Sequence, residues 1–160
     1  MARKLANSPE DFPDLAEMKG MSGLEFMTRI RDGELPAAPI AESLNYDLES
    51  VERGKVVFAG TPGFASYNPI GSVHGGWYGT LLDSCMACAV QTMLPAGQAY
   101  TTLEYKINIL RGATVATGRL RAIGEVIRVG RRTGVAEGRI EDENGTIYAT
   151  GSTTCLAFDL

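Results

Sequence analysis

The sequence predicts an α+β fold in which one long apolar helix is wrapped by a curved antiparallel sheet of five to six strands. Residues 76–93 contain no proline and repeat apolar side chains at spacings of three and four, which is typical of a buried helix. After Gly97 the chain alternates between apolar and polar side chains, as strands do. One of these strands has a face of mostly small residues, which suits a sheet lying very close to the helix: Gly134, Ala136, Gly138 and Ile140.

Size and composition are those of an ordinary globular domain. The chain has 160 residues, of which 44% are hydrophobic and 21% charged, so one domain with a sizeable core is expected. The net charge of −4 argues against nucleic acid or an anionic membrane as a partner. No apolar stretch reaches the ~20 residues that span a bilayer, and the opening residues lack the apolar segment of a signal peptide.

The three cysteines, Cys85, Cys88 and Cys155, predict reduced thiols and a cytoplasmic location. A redox Cys-x-x-Cys pair would lie at the start of a helix, whereas Cys85 and Cys88 lie deep inside an apolar one. A zinc site would lack ligands, because His74 is the only histidine. We therefore expect buried, unreactive thiols and neither a metal nor a redox cofactor.

The chain before the strands is expected to form an irregular arm followed by a short helix. Residues 1–20 are polar and contain two prolines, so we predict an N-terminal arm there and the main domain over residues 21–160. Ser22 is a plausible N-cap, with Glu25 at the capping-box spacing. The helix that follows should stop near Asp32.

Two hairpins are expected on either side of the long helix. Alternating residues from Ala41 to about Gly60 predict two strands joined near Arg53-Gly54. Residues 132–142 and 146–158 predict two more, and Asn144-Gly145 between them is a strong signal for a two-residue turn.

Asp83 is the residue of the long helix that most needs an explanation, because its surroundings are almost free of charge. Burying an unpaired carboxylate is costly, so such a residue is paired, exposed or kept for chemistry. Taken alone, it would be interpreted as an ordinary solvent-facing acid. On a helical projection it shares a face with small residues, which leave space for a ligand or another backbone: Gly76, Gly79, Thr80, Ala87 and Val90.

The sequence His74-Gly75-Gly76 lies at or near the start of the same helix, after a loop over residues 63–73. Two glycines there let a ligand approach the backbone and leave N–H groups unpaired. Together with the helix dipole, these donors favour negative charge, such as the oxyanion of an attacked thioester. Without further context, a glycine turn with one satisfied histidine is the better explanation of the pattern.

The order of these residues resembles the motif of the PaaI-like hotdog thioesterases of phenylacetate degradation. Asn68 is followed after five residues by His74-Gly75-Gly76 and after six more by Asp83. The resemblance extends over roughly residues 45–158. It implies the hotdog fold and hydrolysis of an acyl-CoA thioester to a free acid and CoA, with no cofactor, since CoA is part of the substrate.

The resemblance also implies a role for each matched residue. Asp83 matches the carboxylate that acts as general base or as nucleophile. Gly75 matches the residue whose backbone N–H polarises the thioester oxygen. Thr101 and Thr102 both fall near the position that holds the water, and the register stays open. The matched positioning groups are Asn68, His74 and Thr102.

In that family the HGG end and the carboxylate come from two protomers. The resemblance therefore implies an obligatory homodimer, and such dimers commonly pair into homotetramers. It also places the CoA phosphates near the turn Gly130-Arg131-Arg132, where a solvated surface pair is an equally good interpretation. The aromatic loop over residues 63–67 could shape an acyl pocket, but the acyl group itself is not identified.

Two alternative functions are supported less well by the sequence than thioester hydrolysis is. A non-catalytic acyl-CoA sensor on the same fold would usually carry an added regulatory segment, and residues 1–20 are too short and too acidic for one. The hydratase branch of the fold uses an Asp-x-Asn-Pro-x-His motif. Here Ser66 replaces its Asp, and His74 comes six residues after Asn68 rather than three, which excludes that activity.

Overall fold

The computed structural model describes residues 4–160, so the first three residues of the predicted arm lie outside the described residues. The helices are α1 (Leu15–Gly20), α2 (Gly23–Arg31), α3 (Ile40–Ser43) and α4 (Gly75–Gln91), with 3-10 turns at Pro9–Asp11, Phe64–Ser66 and Val115–Thr117. The strands are β1 (Tyr46–Glu52), β2 (Lys55–Gly60), β3 (Gln98–Ile109), β4 (Leu120–Val129), β5 (Thr133–Glu141) and β6 (Ile147–Asp159).

The six strands form one antiparallel sheet in the order β1-β2-β4-β5-β6-β3, and α4 packs against all of them. The core lies between α4 and the sheet, and the fully buried side chains of Leu81, Leu82 and Met86 point into it. This arrangement confirms the predicted hotdog fold with six strands. No helix in the described part of the chain is long and apolar enough to span a membrane.

The glycines of the sheet set how closely α4 approaches it. A Cβ on Gly124 would overlap the backbone carbonyl of Cys85, and one on Gly134 would overlap the side chain of Val90. A Cβ on Gly138 would lie 2.8 Å from Cγ of Met86. The small face predicted from the sequence therefore lies against α4, as expected.

Helix α2 begins and ends where the sequence predicts. The Ser22 Oγ accepts a hydrogen bond of 3.2 Å from the Glu25 N–H, and Asp32 is the C-cap. Its first residue is fixed to the end of α4, because the Gly23 N–H donates to the Leu94 carbonyl at 3.0 Å. A Cβ on Gly23 would overlap the Gln91 carbonyl, so this contact requires glycine.

The prediction that the first strand begins at Ala41 is wrong. Residues 40–43 form the short helix α3, in which the Leu44 N–H donates to the Ile40 carbonyl at 3.1 Å. Pro39 precedes this turn with φ −58°, a value already suited to a helix. Asn45, with φ 52°, then redirects the chain into β1.

The hairpin between β5 and β6 is confirmed, but its turn is longer than the two residues predicted. The last strand pair is Glu141 with Ile147, so residues 142–146 form the connection. The Asp142 carboxylate accepts 2.9 Å hydrogen bonds from the N–H groups of Asn144 and Thr146. This aspartate stabilises a wider loop, in which only Gly145 has a positive φ.

The N-terminal residues are held by backbone hydrogen bonds. The Ala37 N–H donates to the Lys4 carbonyl at 2.8 Å, and the Ala6 N–H donates to the Ala37 carbonyl at 3.3 Å. Residues 4–6 thus lie along the segment that follows α2. The division into an arm over residues 1–20 and a domain over residues 21–160 stays a prediction.

Candidate active site

The Asp83 carboxylate lies in the middle of α4 and is half-buried. The Thr102 hydroxyl on β3 donates a hydrogen bond of 2.9 Å to its Oδ1. Burial raises the pKa of Asp83, and the hydrogen bond from Thr102 partly opposes this rise. The arrangement is a partly desolvated carboxylate that is more basic than an exposed aspartate.

Of the two threonines left open by the sequence, the structure brings Thr102 to Asp83. Neighbouring residues of a strand point to opposite faces of the sheet, so only one of the pair can face α4. The Thr101 side chain is exposed. The register with β6 shifts between Thr102 and Glu104, a bulge immediately after the residue that contacts Asp83.

Helix α4 runs along β3 with one contact in each turn. A Cβ on Gly75 would lie 3.3 Å from Cδ1 of Ile109, and a Cβ on Gly79 would lie 3.3 Å from the Tyr105 hydroxyl. One turn further, Asp83 meets Thr102. Because β3 is the last strand of the sheet, its outer edge has no partner strand among the described residues.

His74 and Gly75 form the start of α4. The exposed His74 is the N-cap, and its Nδ1 accepts a hydrogen bond of 2.8 Å from the Gly76 N–H. In the neutral imidazole the proton is therefore on Nε2. Within the described part of the chain the Gly75 N–H has no acceptor, as expected at the first helical position. A free donor thus lies at the positive end of a helix of 17 residues.

Asn68 holds the loop that leads to His74. Its Oδ1 accepts hydrogen bonds from the Ile70 N–H at 3.1 Å and the Ser72 N–H at 3.2 Å. Its Nδ2 donates to the Ser72 Oγ at 3.1 Å. The side chain is therefore engaged within its own loop, and its contribution is to position the approach to His74.

The two clusters of predicted site residues are not close to each other within one chain. Asp83 comes eight residues after Gly75, which corresponds to about 12 Å along a helix at 1.5 Å per residue. A thioester carbonyl bound by the Gly75 N–H would thus lie far from the carboxylate of the same chain. The structure joins Asp83 with Thr102 and His74 with Gly75, as two separate halves.

The basic turn Gly130-Arg131-Arg132 connects β4 to β5 and is closed by a 2.8 Å hydrogen bond from the Gly130 N–H to the Thr133 carbonyl. Both arginines are exposed, and neither has an ion pair within residues 4–160. They line a shallow hollow together with Gln98 and Asp159. Two guanidinium groups are thereby available near the start of β3.

A cavity of about 480 Å³ lies between α2 and α4, with Asp83 in its wall. Asp83 is a site residue predicted from the sequence, whereas the cavity itself was not predicted. The sequence does contain one indication of the cavity, in the helical spacing of α4. Five residues at that spacing share the face that lines the cavity: Asp83, Ser84, Ala87, Cys88 and Gln91. The aromatic loop does not form this pocket, since Phe64 is 79% exposed and packs on Tyr67.

The three cysteines are free thiols, as predicted. Burial raises the pKa of Cys88 to about 12 and holds that of Cys85 well above its usual range. Both therefore remain protonated and unreactive near neutral pH. Within the described residues no group of histidine, cysteine, aspartate and glutamate side chains could hold a metal ion.

Comparison with known proteins places the chain in a family. The family profile described as "Thioesterase superfamily" matches residues 70–149, which is half of the chain. A Halobacterium salinarum protein named "Putative esterase" is 41% identical over 69 residues; the match covers 42% of this chain and 44% of that protein, less than half its length.

Two solved structures share the fold. A phenylacetic acid degradation-related protein from Ralstonia eutropha JMP134 is 29% identical with a TM-score of 0.74, covering 82% of this chain and 98% of that one. The PaaI protein from the phenylacetic acid degradation operon of E. coli is 26% identical with a TM-score of 0.67, covering 74% and 83%. With half of its residues matched by the family profile, the chain belongs to the thioesterase superfamily.

Proposed function

We propose that the protein hydrolyses acyl-CoA thioesters to a free acid and CoA. The observation that carries the proposal is the half-buried Asp83 carboxylate, which lies in a cavity wall and accepts a hydrogen bond from Thr102. A carboxylate made more basic by burial is suited to removing a proton from water. Membership of the thioesterase superfamily supplies the class of bond that is cleaved.

In the general-base route, Asp83 takes a proton from water as the water oxygen attacks the thioester carbonyl carbon. The negative charge on the carbonyl oxygen is stabilised by the Gly75 N–H at the start of α4. The C–S bond then breaks, and the CoA thiolate receives the proton from Asp83. In the nucleophilic route, an Asp83 oxygen attacks the same carbon, CoA leaves, and water hydrolyses the resulting anhydride.

Both routes need two protomers, because Gly75 and Asp83 of one chain are about 12 Å apart. We propose a homodimer in which the β3 strands pair along their open edges. In an antiparallel pair centred between Tyr105 and Lys106, Ile109 of one protomer lies opposite Thr102 of the other. Since Gly75 lies beside Ile109 and Thr102 binds Asp83, the two halves of the site would meet. Two such dimers would form the expected homotetramer.

The remaining predicted residues take supporting roles in this proposal. Asn68 fixes the loop before His74, and the Nε2–H of His74 is free to donate to the substrate. Gly130, Arg131 and Arg132 are proposed to bind the CoA phosphates through the exposed guanidinium groups. The three free thiols, two of them buried, fit a cytoplasmic location, and the chemistry needs no cofactor besides the CoA of the substrate.

The test is release of CoA thiol from phenylacetyl-, benzoyl-, short-chain and medium-chain acyl-CoAs. We expect turnover by the native protein and a loss of roughly 10²- to 10⁴-fold in Asp83→Asn, since the amide has nearly the same shape but no basicity. Circular dichroism and size-exclusion chromatography of the variant control for fold and assembly. Full activity in Asp83→Asn would remove this carboxylate from the mechanism.

A further inference from the structure

We infer that the cavity between α2 and α4 binds the acyl group and that α2 sets the size of acyl group accepted. The inference rests on the proposed function, which it extends by naming the substrate class. Asp83 is the first residue of the α4 face that lines the cavity, and Gln91 is the last. A thioester with its carbonyl at Asp83 would therefore extend its acyl group along about 12 Å of helix towards Gln91.

The first residue of α2 is held directly against the end of α4. Gly23 lies directly against the carbonyl of Gln91 and donates to that of Leu94. Away from this contact, α4 presents the short side chains of Ser84 and Ala87, which do not fill the gap to α2. The cavity therefore results from the way in which α2 packs against α4.

The chemistry of the walls favours an apolar acyl group. Facing α4 are three residues of one α2 face, Phe26, Met27 and Ile30, and two strand residues, Leu48 and Phe58. A volume of about 480 Å³ lies within the ~300–1,000 Å³ of typical small-ligand sites, so a medium-length or aromatic acyl group fits.

The segment that forms this wall lies outside the part of the chain matched by the family profile, residues 70–149. The cavity residues of α2, β1 and β2 all precede residue 60. The choice of acyl group is therefore assigned to the segment before residue 60, while the segment over residues 70–149 supplies Asp83 and Gly75.

The experiment measures binding of S-alkyl-CoA thioethers, from ethyl to decyl, by isothermal titration calorimetry. These ligands are not hydrolysed, so the readout does not depend on turnover. For the native protein we expect affinity to rise by up to about fourfold for each added methylene until the cavity is full. In Ile30→Trp the ratio of octyl to ethyl affinity should fall at least tenfold, because the indole occupies the cavity.

Two further variants complete the design. Glu25→Trp places the same side chain on the exposed face of α2 and should keep the native length dependence. Phe26→Ala enlarges the cavity and should move the limit to longer chains, which keeps the inference testable if Ile30→Trp does not fold. Length-dependent binding that is unchanged in both Ile30→Trp and Phe26→Ala would overturn the inference, as would affinity that does not depend on length in the native protein.

The same data separate this inference from the proposed function. Length-dependent thioether binding that Ile30→Trp abolishes, without thiol release from any acyl-CoA, would support the pocket and refute hydrolysis. Thiol release with no effect of the α2 variants on length dependence would support hydrolysis and refute the pocket.

Discussion

At the scale of single residues, the environment of Asp83 costs stability and suits the catalytic role proposed for it. Its carboxylate is half-buried, and burial raises its pKa despite the hydrogen bond from Thr102. A raised pKa in the folded state means that the neutral form stabilises the fold relative to the charged form. That stabilisation is complete below the pKa of an unfolded aspartate and is lost as pH rises through the raised value.

The loss of this stabilisation with rising pH leads to a prediction about the stability of the Asp83→Asn variant. Asp83→Asn stays neutral at every pH, so the variant should become more stable than the native protein as pH rises from about 4 to about 7. We expect the Tm of the variant, relative to that of the native protein, to rise over this range. The measurement is a pair of thermal melts across pH. A constant difference, or one that shrinks with rising pH, would mean that the carboxylate is not desolvated in the folded state.

Thr102 offers a second test at this scale. Thr102→Val removes the group that holds the Asp83 carboxylate in position, and because misplacement of a catalytic group can cost about 10²-fold, kcat/KM should fall by roughly 10- to 100-fold. The acid limb of the pH profile should move to higher pH, because the bond that lowers the pKa of Asp83 is gone. Thr102→Ser should restore both.

The matched control is Thr101→Val, which alters the exposed neighbour on the same strand. It should leave the rate and the profile unchanged. If Thr101→Val were the damaging variant, β3 would have to be shifted by one residue relative to α4. The sequence could not choose between these two threonines, because the choice depends on which strand face turns towards the helix and on a bulge that no local pattern indicates.

At the scale of secondary structure, contact between α4 and the sheet depends on glycine. Gly124→Ala would push a methyl group into the Cys85 carbonyl, which as backbone cannot move aside easily. We expect a loss of about 2 kcal/mol or more in the free energy of unfolding, measured by urea denaturation. Gly63→Ala is the control: it has negative φ, no atom lies near the added Cβ, and stability should hardly change. Equal stability of both variants would contradict the close packing.

The elements most securely predicted from sequence were those whose pattern is long or has a defined cap. The periodicity of α4 and the Ser22 cap of α2 indicated these helices to within about two residues. Short elements were not predictable in this way. The four-residue helix α3 has an apolar pattern too short to distinguish from a strand, and the five-residue turn depends on the Asp142 side chain rather than on Asn144-Gly145 alone.

At the scale of the whole molecule, the site is assembled from parts that are distant in sequence. The cavity depends on Gly23 meeting Gln91, a contact between residues 68 positions apart, and local sequence patterns carry no information about it. The proposed composite site would add a second chain. The motif implies which residues take part and that they come from two protomers, and the distance of about 12 Å between Gly75 and Asp83 along α4 agrees with this.

Mixing two inactive variants shows whether one active site is shared between two chains. Gly75→Pro removes the proposed oxyanion donor at a helix position where proline is well tolerated, and Gly75→Ala keeps the N–H as control. Asp83→Asn removes the base. After co-refolding of equal amounts, half of the dimers should be mixed, each with one intact site formed by the Asp83 of one chain and the Gly75 of the other. We expect about one quarter of native thiol release from acyl-CoA. No activity above that of the separate variants, although mixed dimers have formed, would contradict a site shared between two chains.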